Sequence, residues 1–265
     1  MPARRPPPRV AVLRGAARAG SLVERLRDAG FEPVELPVLA FEDLAPPCPG
    51  RCPSPESTRW VFTSVEGPAA WARQAERWER EGAAGWQGAS LRGVAAIVVG
   101  RATEAAARDA GFEVEYCGEG GDAASMVEGW VASRRAPDRP ELWFAVAQAA
   151  RDAALEAAAR AGFVVRRIEV YRSVPNQAAR ERIEATDPRG LAVIAATASS
   201  TLSYLDALLP PGRRAAWRTV PVVSIGPATS TTARELGYTV AAQAGRSTLD
   251  ALVEAVQSRF EPEET

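Results

Sequence analysis

Four short turns carry the residues best placed for chemistry. They are Thr63-Ser64-Val65-Glu66, Gly100-Arg101-Ala102-Thr103, Thr197-Ala198-Ser199-Ser200 and Gly226-Pro227-Ala228-Thr229. Each follows an apolar run and reads as a strand end leading into a helix start. A Ser or Thr there ordinarily caps the helix, satisfying orphan backbone N–H groups and contributing about 1 kcal/mol. The same N–H groups, with the helix dipole, also favour a bound anion. One such turn says little. Four, in two related pairs, point to one extended ligand with several negative groups. None is a dinucleotide fingerprint, because Gly100-Arg101-Ala102-Thr103 lacks the further glycines of that motif.

Three arginines could add charge near such turns. Arg14 ends the first apolar run, Arg101 lies in a turn, and Arg151 opens a helix after Leu142 to Val146. An arginine is more commonly a solvated surface group. The chain has no His and no Lys, so all 32 basic residues are Arg. That excludes Ser-His-Asp and Cys-His catalysis as usually built, lysine Schiff bases and the phosphate-loop lysine. Acid catalysis then falls to Tyr, Asp, Glu or Cys. No close Asp/Glu pair marks the strand ends, whereas Tyr171 closes the extended run Ile168-Glu169-Val170-Tyr171. A strand tyrosine is commonly a half-buried packing residue. A phenol, ordinarily titrating near about pH 10, is also a proton donor at neutral pH. Cys48 and Cys52 share a Pro/Gly-rich loop and Cys117 stands apart. With no second pair and no His, they read as free thiols, and no metal is expected.

The elements that must position these residues alternate strand with helix. Val10–Leu13, Trp60–Ser64, Val94–Val99, Leu142–Val146, Val193–Thr197 and Val220–Ile225 are apolar strand candidates. Their near-continuous apolarity suits parallel strands buried on both faces. Ser21–Ala29 and Ala153–Arg160 read as helices, followed by extended Phe31–Pro37 and Val164–Val174. Ala29-Gly30-Phe31 and Ala161-Gly162-Phe163 repeat one helix stop. Gly82–Gly93 reads as a loop and Pro210-Pro211-Gly212 as a break. The pattern is α/β.

A longer repeat runs about half a chain apart. Gly100, Ala102, Thr103, Ala107, Arg108, Gly111 and Val114 match Gly226, Ala228, Thr229, Ala233, Arg234, Gly237 and Val240 without a gap. The frame continues from Val127-Glu128 to Val253-Glu254. This period means two copies of a domain-sized unit, and paired units make a cleft. Read alone, the repeat cuts the chain near the polar run Ser133–Pro140. With 265 residues, 46% hydrophobic and 25% charged, each half can build a core. The net charge of -1 gives no reason to expect nucleic acid. No apolar run is long enough to span a membrane. The basic, Pro-rich lead-in Met1–Arg9 lacks the apolar segment of a signal peptide, so the expected location is the cytoplasm.

In order and spacing, these motifs resemble the uroporphyrinogen-III synthase family. The likeness rests on Arg14 after the first strand, Ala29-Gly30-Phe31, Leu36-Pro37-Val38 and Phe62-Thr63-Ser64. It continues through Val99-Gly100-Arg101-Ala102-Thr103, Val170-Tyr171-Arg172 and Ile225-Gly226-Pro227-Ala228-Thr229. It implies two similar, flavodoxin-like parallel-sheet domains joined by a two-stranded β connector, with the site in the cleft between them. The connector would be formed by Leu36–Phe41 and Ile168–Val174. One domain is then 1–37 with 173–265, and the other is 38–172. Ser133–Pro140 becomes an internal loop. The implied activity is that of a lyase: closure of hydroxymethylbilane to uroporphyrinogen III, with loss of water and inversion of the last ring through a spiro intermediate. The implied enzyme needs no cofactor and no metal. A monomer is expected, since no sequence feature marks an oligomer surface, and the sequence leaves open a transient contact with the enzyme supplying the bilane. Motif matches carry Thr63, Ser64, Thr103, Tyr171, Thr197, Ser200 and Thr229 into the site. Tyr171 would hydrogen-bond the departing hydroxyl. The others, with Arg14, Arg101, Arg151 and Gly226, would hold substrate carboxylates. The chain departs from the family pattern at Ala198, Ala228 and Gln148-Ala149. A noncatalytic small-molecule binding or sensory relative of the same fold, and a sugar-nucleotide transferase, are the competing readings.

Overall fold

The structure is a computed structural model that describes residues 6–14, 16–46, 48, 50, 53–83, 94–119, 122–134 and 138–260, with residues 16–20 as backbone only. Cys52, most of the expected Gly82–Gly93 loop, and parts of the lead-in and of Ser133–Pro140 lie outside them. In chain order the elements begin with β1 (Arg9–Val12), α1 (Ala16–Asp28), β2 (Glu32–Glu35), β3 (Leu39–Asp43), β4 (Thr58–Phe62) and α2 (Glu66–Arg80). Next come β5 (Ala95–Val98), α3 (Arg101–Asp109), β6 (Glu113–Cys117), α4 (Ala123–Ser133), β7 (Glu141–Ala147), α5 (Ala153–Arg160) and β8 (Val165–Pro175). The last are α6 (Arg180–Ala185), β9 (Val193–Ala196), α7 (Ser199–Leu208), α8 (Pro211–Arg218), β10 (Val222–Ser224), α9 (Pro227–Glu235), β11 (Val240–Gln243) and α10 (Leu249–Ser258).

The chain divides into two compact units, 1–40 with 173–265, and 41–172. In the first, five strands lie in the order β11-β10-β9-β1-β2, and every pairing is parallel. Counted along that unit's own chain, the order is 2-1-3-4-5, the flavodoxin-like arrangement. The second sheet runs β3-β8-β7-β4-β5-β6. From β8 to β6 its pairings are parallel, and in that unit's own count they follow the order 3-2-1-4-5 reversed. The two units therefore share one spatial arrangement with permuted chain order: β7-α5-β8 stands where β1-α1-β2 stands. Hydrogen bonds from Leu44 N to the Val170 carbonyl and from Asn176 N to the Val38 carbonyl run β3 antiparallel to β8. The chain passes from unit to unit within these two strands, which also extend the larger sheet.

Alternation of side chains explains the core. In the first unit, Ala11, Leu13, Ile194, Ala196 and Val222 face one side. Val10, Val12, Val193, Ala195 and Val223 face the other. The second unit divides Trp60, Phe62, Ala96, Val98, Trp143 and Ala145 from Val61, Ile97, Leu142, Phe144 and Val146 in the same way. Both faces are apolar, so helices must cover both, which is why the strands read as continuous hydrophobic runs. Leu22, Val23 and Leu26 of α1 cover one face with α10; Leu202, Leu205 and Leu208 of α7 cover the other with Trp217. In the second unit Trp60 packs on Trp71 at 4.1 Å between ring centroids and on Trp143 at 5.3 Å.

Two local readings change. The helix expected from Ser21 begins at Ala16. Pro210-Pro211-Gly212 does end α7, but Pro211 then opens α8, where a missing N–H costs nothing. The half-chain repeat is structural. Gly111 and Gly237 adopt φ of 88° and 84° after α3 and α9. Each donates to the carbonyl three residues back, and the next residue to the one five back, closing the helix with a Schellman motif. Further along the same frame, the Asp122 side chain accepts from Ser125 N and the Thr248 side chain from Ala251 N, so α4 and α10 are capped alike.

Candidate active site

In parallel sheets the strand-to-helix turns gather at one edge, and ligands bind outside the strand carboxyl ends where the order reverses. In the first unit the reversal lies between β1 and β9. Arg14 follows β1, Thr197 follows β9, and Gly226 follows the neighbouring β10. A cavity of about 530 Å³ opens there, lined by Arg14, Leu39, Thr197, Ala198, Thr201, Ile225, Ser247 and Leu249. It unites two expected residues, Arg14 and Thr197. It also adds Thr201 and Ser247, which the sequence reading missed. Ser247 lies between β11 and α10, a fifth turn of the same strand-to-helix kind. Ser200 is half-buried in the first turn of α7, and Gly226 is buried.

In the second unit the reversal lies between β4 and β7. Thr63 and Ser64 follow β4; Arg151 follows β7; Arg101 and Thr103 follow β5. Tyr171 sits on β8 opposite Ala147, the last residue of β7. The Tyr171 carbonyl accepts from Gln148 N at 2.9 Å, which fixes this level of the edge. From there Tyr171 reaches across the end of β7: its hydroxyl lies 2.5 Å from Ser64 Oγ. The ring is 4% exposed and stands edge-on to Phe41 with centroids 5.5 Å apart. Ser64 is half-buried. Gly67 sets its place, because a Cβ there would stand 3.1 Å from both the Ala145 carbonyl and Phe62 Cδ1. A larger residue would force β7 or Phe62 to give by a few tenths of an ångström, and Gly67 N donates to the Ser64 carbonyl at 3.3 Å.

The turns are not capped as an ordinary Ser/Thr reading would have it. Val65, Gly100, Ala198 and Gly226 occupy the N-cap positions of α2, α3, α7 and α9, and none makes a side-chain cap bond. The hydroxyls fall beside the cap positions instead: Thr63, Ser64 and Thr197 precede them, Ser200 is the second residue of α7, and Thr103 and Thr229 are the third residues of α3 and α9. Gly67 N and Thr201 N donate to the Ser64 and Ala198 carbonyls, and the other first-turn N–H groups are left to solvent or to an anion. Pro227 supplies no N–H, so the turn at α9 has one donor fewer than its copy at α3. Thr103 and Thr229 are 2% and 4% exposed. The outward parts of these turns are Arg101 and Ala102, and Pro227 and Ala228.

Arg101 is organised by Glu104, which accepts from it at 2.8 Å and from Arg108 at 2.6 Å. The hydrogen bond from Arg101, with the Arg108 charge, holds the Glu104 carboxyl below the usual carboxylate range against the opposing effect of burial. Arg151 is exposed at the start of the α5 turn. The carbonyls of that turn, at Ala147, Gln148 and Ala150, all accept from Arg167, which also pairs with Asp152 and Glu169. Burial, and then the Glu104 charge, push the Cys117 thiol up. Among the described residues no group of three His, Cys, Asp or Glu side chains could hold a metal ion, and no helix is long and apolar enough to cross a membrane.

Comparison with known proteins agrees with this architecture. Residues 20–254 match the family described as uroporphyrinogen-III synthase HemD. The uroporphyrinogen-III synthetase of Helicobacter pylori superposes with a TM-score of 0.56 at 14% identity, covering 95% of this chain and 99% of that one. A mutant uroporphyrinogen III synthase from Thermus thermophilus gives a TM-score of 0.47 at 20% identity, covering 95% and 98%. A search among curated proteins finds no significant match. The family match spans most of both units and every candidate residue except Arg14, and the chain belongs to the uroporphyrinogen-III synthase family.

Proposed function

We propose that the protein closes hydroxymethylbilane to uroporphyrinogen III, an enzymatic step of haem biosynthesis. The observation that carries this reading is the Tyr171–Ser64 hydroxyl pair, set at a sheet edge among helix starts without side-chain caps. The bilane bears many carboxylates, and several open helix starts suit such a ligand better than one arginine clamp. The chemistry suits a chain without His or Lys. Pyrrole nitrogens expel the terminal hydroxyl once it is protonated or hydrogen-bonded. The cation then attacks the substituted carbon of the last ring, and the spiro intermediate reopens and recloses with that ring inverted.

In this reading Tyr171 is the acid that assists loss of the hydroxyl as water. Thr63, Thr103, Thr197, Ser200, Gly226 and Thr229 belong to the turns that hold carboxylates, with Arg14, Arg101 and Arg151 adding charge. Because no strong base takes part, the remaining work is positioning the chain ends for the spiro route over direct closure. The test compares wild type with Tyr171→Phe on freshly made bilane. The expected result is type III product from wild type and a slower rate from the variant. An unchanged rate in the variant rejects the role of Tyr171, and absence of type III product from wild type rejects the activity.

A further inference from the structure

We infer that Ser64, rather than Tyr171, is the hydroxyl that meets the departing group, and that Tyr171 acts through it. This rests on the proposed reaction. Two hydroxyls 2.5 Å apart share one hydrogen bond, so the pair has one proton committed between its oxygens and one to give away. A phenol is the stronger acid and so the better donor within the pair, which orders the chain Tyr171 O–H to Ser64 Oγ and leaves the Ser64 O–H directed onward. Burial agrees with this order. Tyr171 is 4% exposed and belongs to the aromatic core of its unit, while Ser64 is half-buried in the turn beyond the end of β4. A serine hydroxyl alone is a feeble acid. One that accepts a hydrogen bond from a phenol is polarised toward donation.

The proton count closes. As the C–O bond of the hydroxymethyl group breaks, the leaving oxygen takes the Ser64 proton and departs as water. Ser64 takes the Tyr171 proton, and the phenolate is balanced by the cation on the conjugated pyrrole. When the last ring regains aromaticity, its carbon releases one proton, which restores the pair. No oxidant, metal or further reactant enters. Ser64 thereby changes from one more carboxylate contact into the catalytic residue, and Tyr171 becomes its positioning and proton-supplying partner.

The test uses Ser64→Ala, Ser64→Thr, Tyr171→Phe and the double variant Ser64→Ala/Tyr171→Phe, with kcat and KM for type III product measured separately. A relay predicts that each of Ser64→Ala and Tyr171→Phe lowers kcat by about a hundredfold, with KM within about threefold. The double variant should be no more than about threefold slower than the slower single variant. Ser64→Thr, which keeps a hydroxyl, should recover most of the rate. Losses that multiply in the double variant, a rise in KM alone for Ser64→Ala, or Ser64→Thr as slow as Ser64→Ala would each overturn it. Urea midpoints of the variants separate a lost fold from a lost relay, and Tyr171→Phe with Ser64→Thr decides the matter if Ser64→Ala unfolds. Wild type that makes only type I product removes the reaction and the relay together. Wild type that makes type III product, with multiplying losses, removes the relay alone.

Discussion

Replacing Tyr238 by Phe should stabilise the protein. Tyr238 is 3% exposed in the core of the first unit, and among the described residues its hydroxyl has no hydrogen-bond partner. The half-chain repeat supplies the control, because the matching position in the other copy is Phe112, also 3% exposed. A buried hydroxyl without a partner costs about 1–3 kcal/mol. Phenylalanine removes that cost and keeps the ring, at the expense of a few packing contacts around the missing oxygen. The net gain should be about 1 kcal/mol, or about 3–4 °C in Tm for a unit of this size. The pH dependence gives a second reading. Burial, and then the Asp206 charge, hold the Tyr238 phenol above its ordinary range, while Arg218 and Arg214 oppose this. A raised native pKa means that the folded state keeps its proton where the unfolded state loses it. Wild type therefore loses stability as the pH rises past about 10, and the Phe variant is spared that share. Thermal and urea unfolding followed by far-UV circular dichroism at about pH 7 and 10.5 measures both effects. A variant that is less stable at neutral pH, or a gap that narrows at high pH, refutes the reasoning.

Three more outcomes are expected. Gly111→Ala should cost about 1–2 kcal/mol in urea unfolding, from backbone strain alone at φ 88°, since no neighbour lies within 4 Å of the added Cβ; Gly111→Asn should recover part of it. Glu104→Gln should lower the unfolding midpoint at pH 7. The Glu104 carboxyl is held low in the native state, so its contribution fades as the pH falls from about 4.5 through that lower value, and the difference from wild type should shrink on that side in thermal melts. Thr103→Ala and Thr229→Ala should loosen the first turns of α3 and α9, raising KM for the bilane by about three- to tenfold with kcat within about twofold in steady-state assays.

Much of the fold was legible because it depends on local pattern. Runs such as Val193-Ile194-Ala195-Ala196 are apolar on both faces and announce a buried parallel strand before any partner is known. Gly111 and Gly237 mark helix ends for a backbone reason that sequence carries directly. The turns were legible too, as places where a strand run meets Gly, Ser or Thr. What each hydroxyl does there was not, because a shift of one residue decides whether it caps, and Val65 and Ala198 hold the cap positions instead. The α8 helix was hidden by Pro210-Pro211-Gly212, whose composition signals a stop but also suits a first helical turn. Ser247 escaped because β11, Val-Ala-Ala-Gln, is too short and weakly apolar to announce the turn after it. The pairing of Ser64 with Tyr171 depends on β8 lying beside β7 and β7 beside β4, a strand order that no window of sequence contains across their 107-residue separation.

The central claim is that these strand-end turns close a bilane with ring inversion. Its most direct measurement is a single turnover, with protein in excess over freshly made hydroxymethylbilane and the oxidised porphyrin isomers resolved. Without a catalyst the bilane closes to type I. With the protein, type III should be the dominant isomer, formed faster than type I appears in the protein-free control. Type I alone, at the rate of that control, would contradict it.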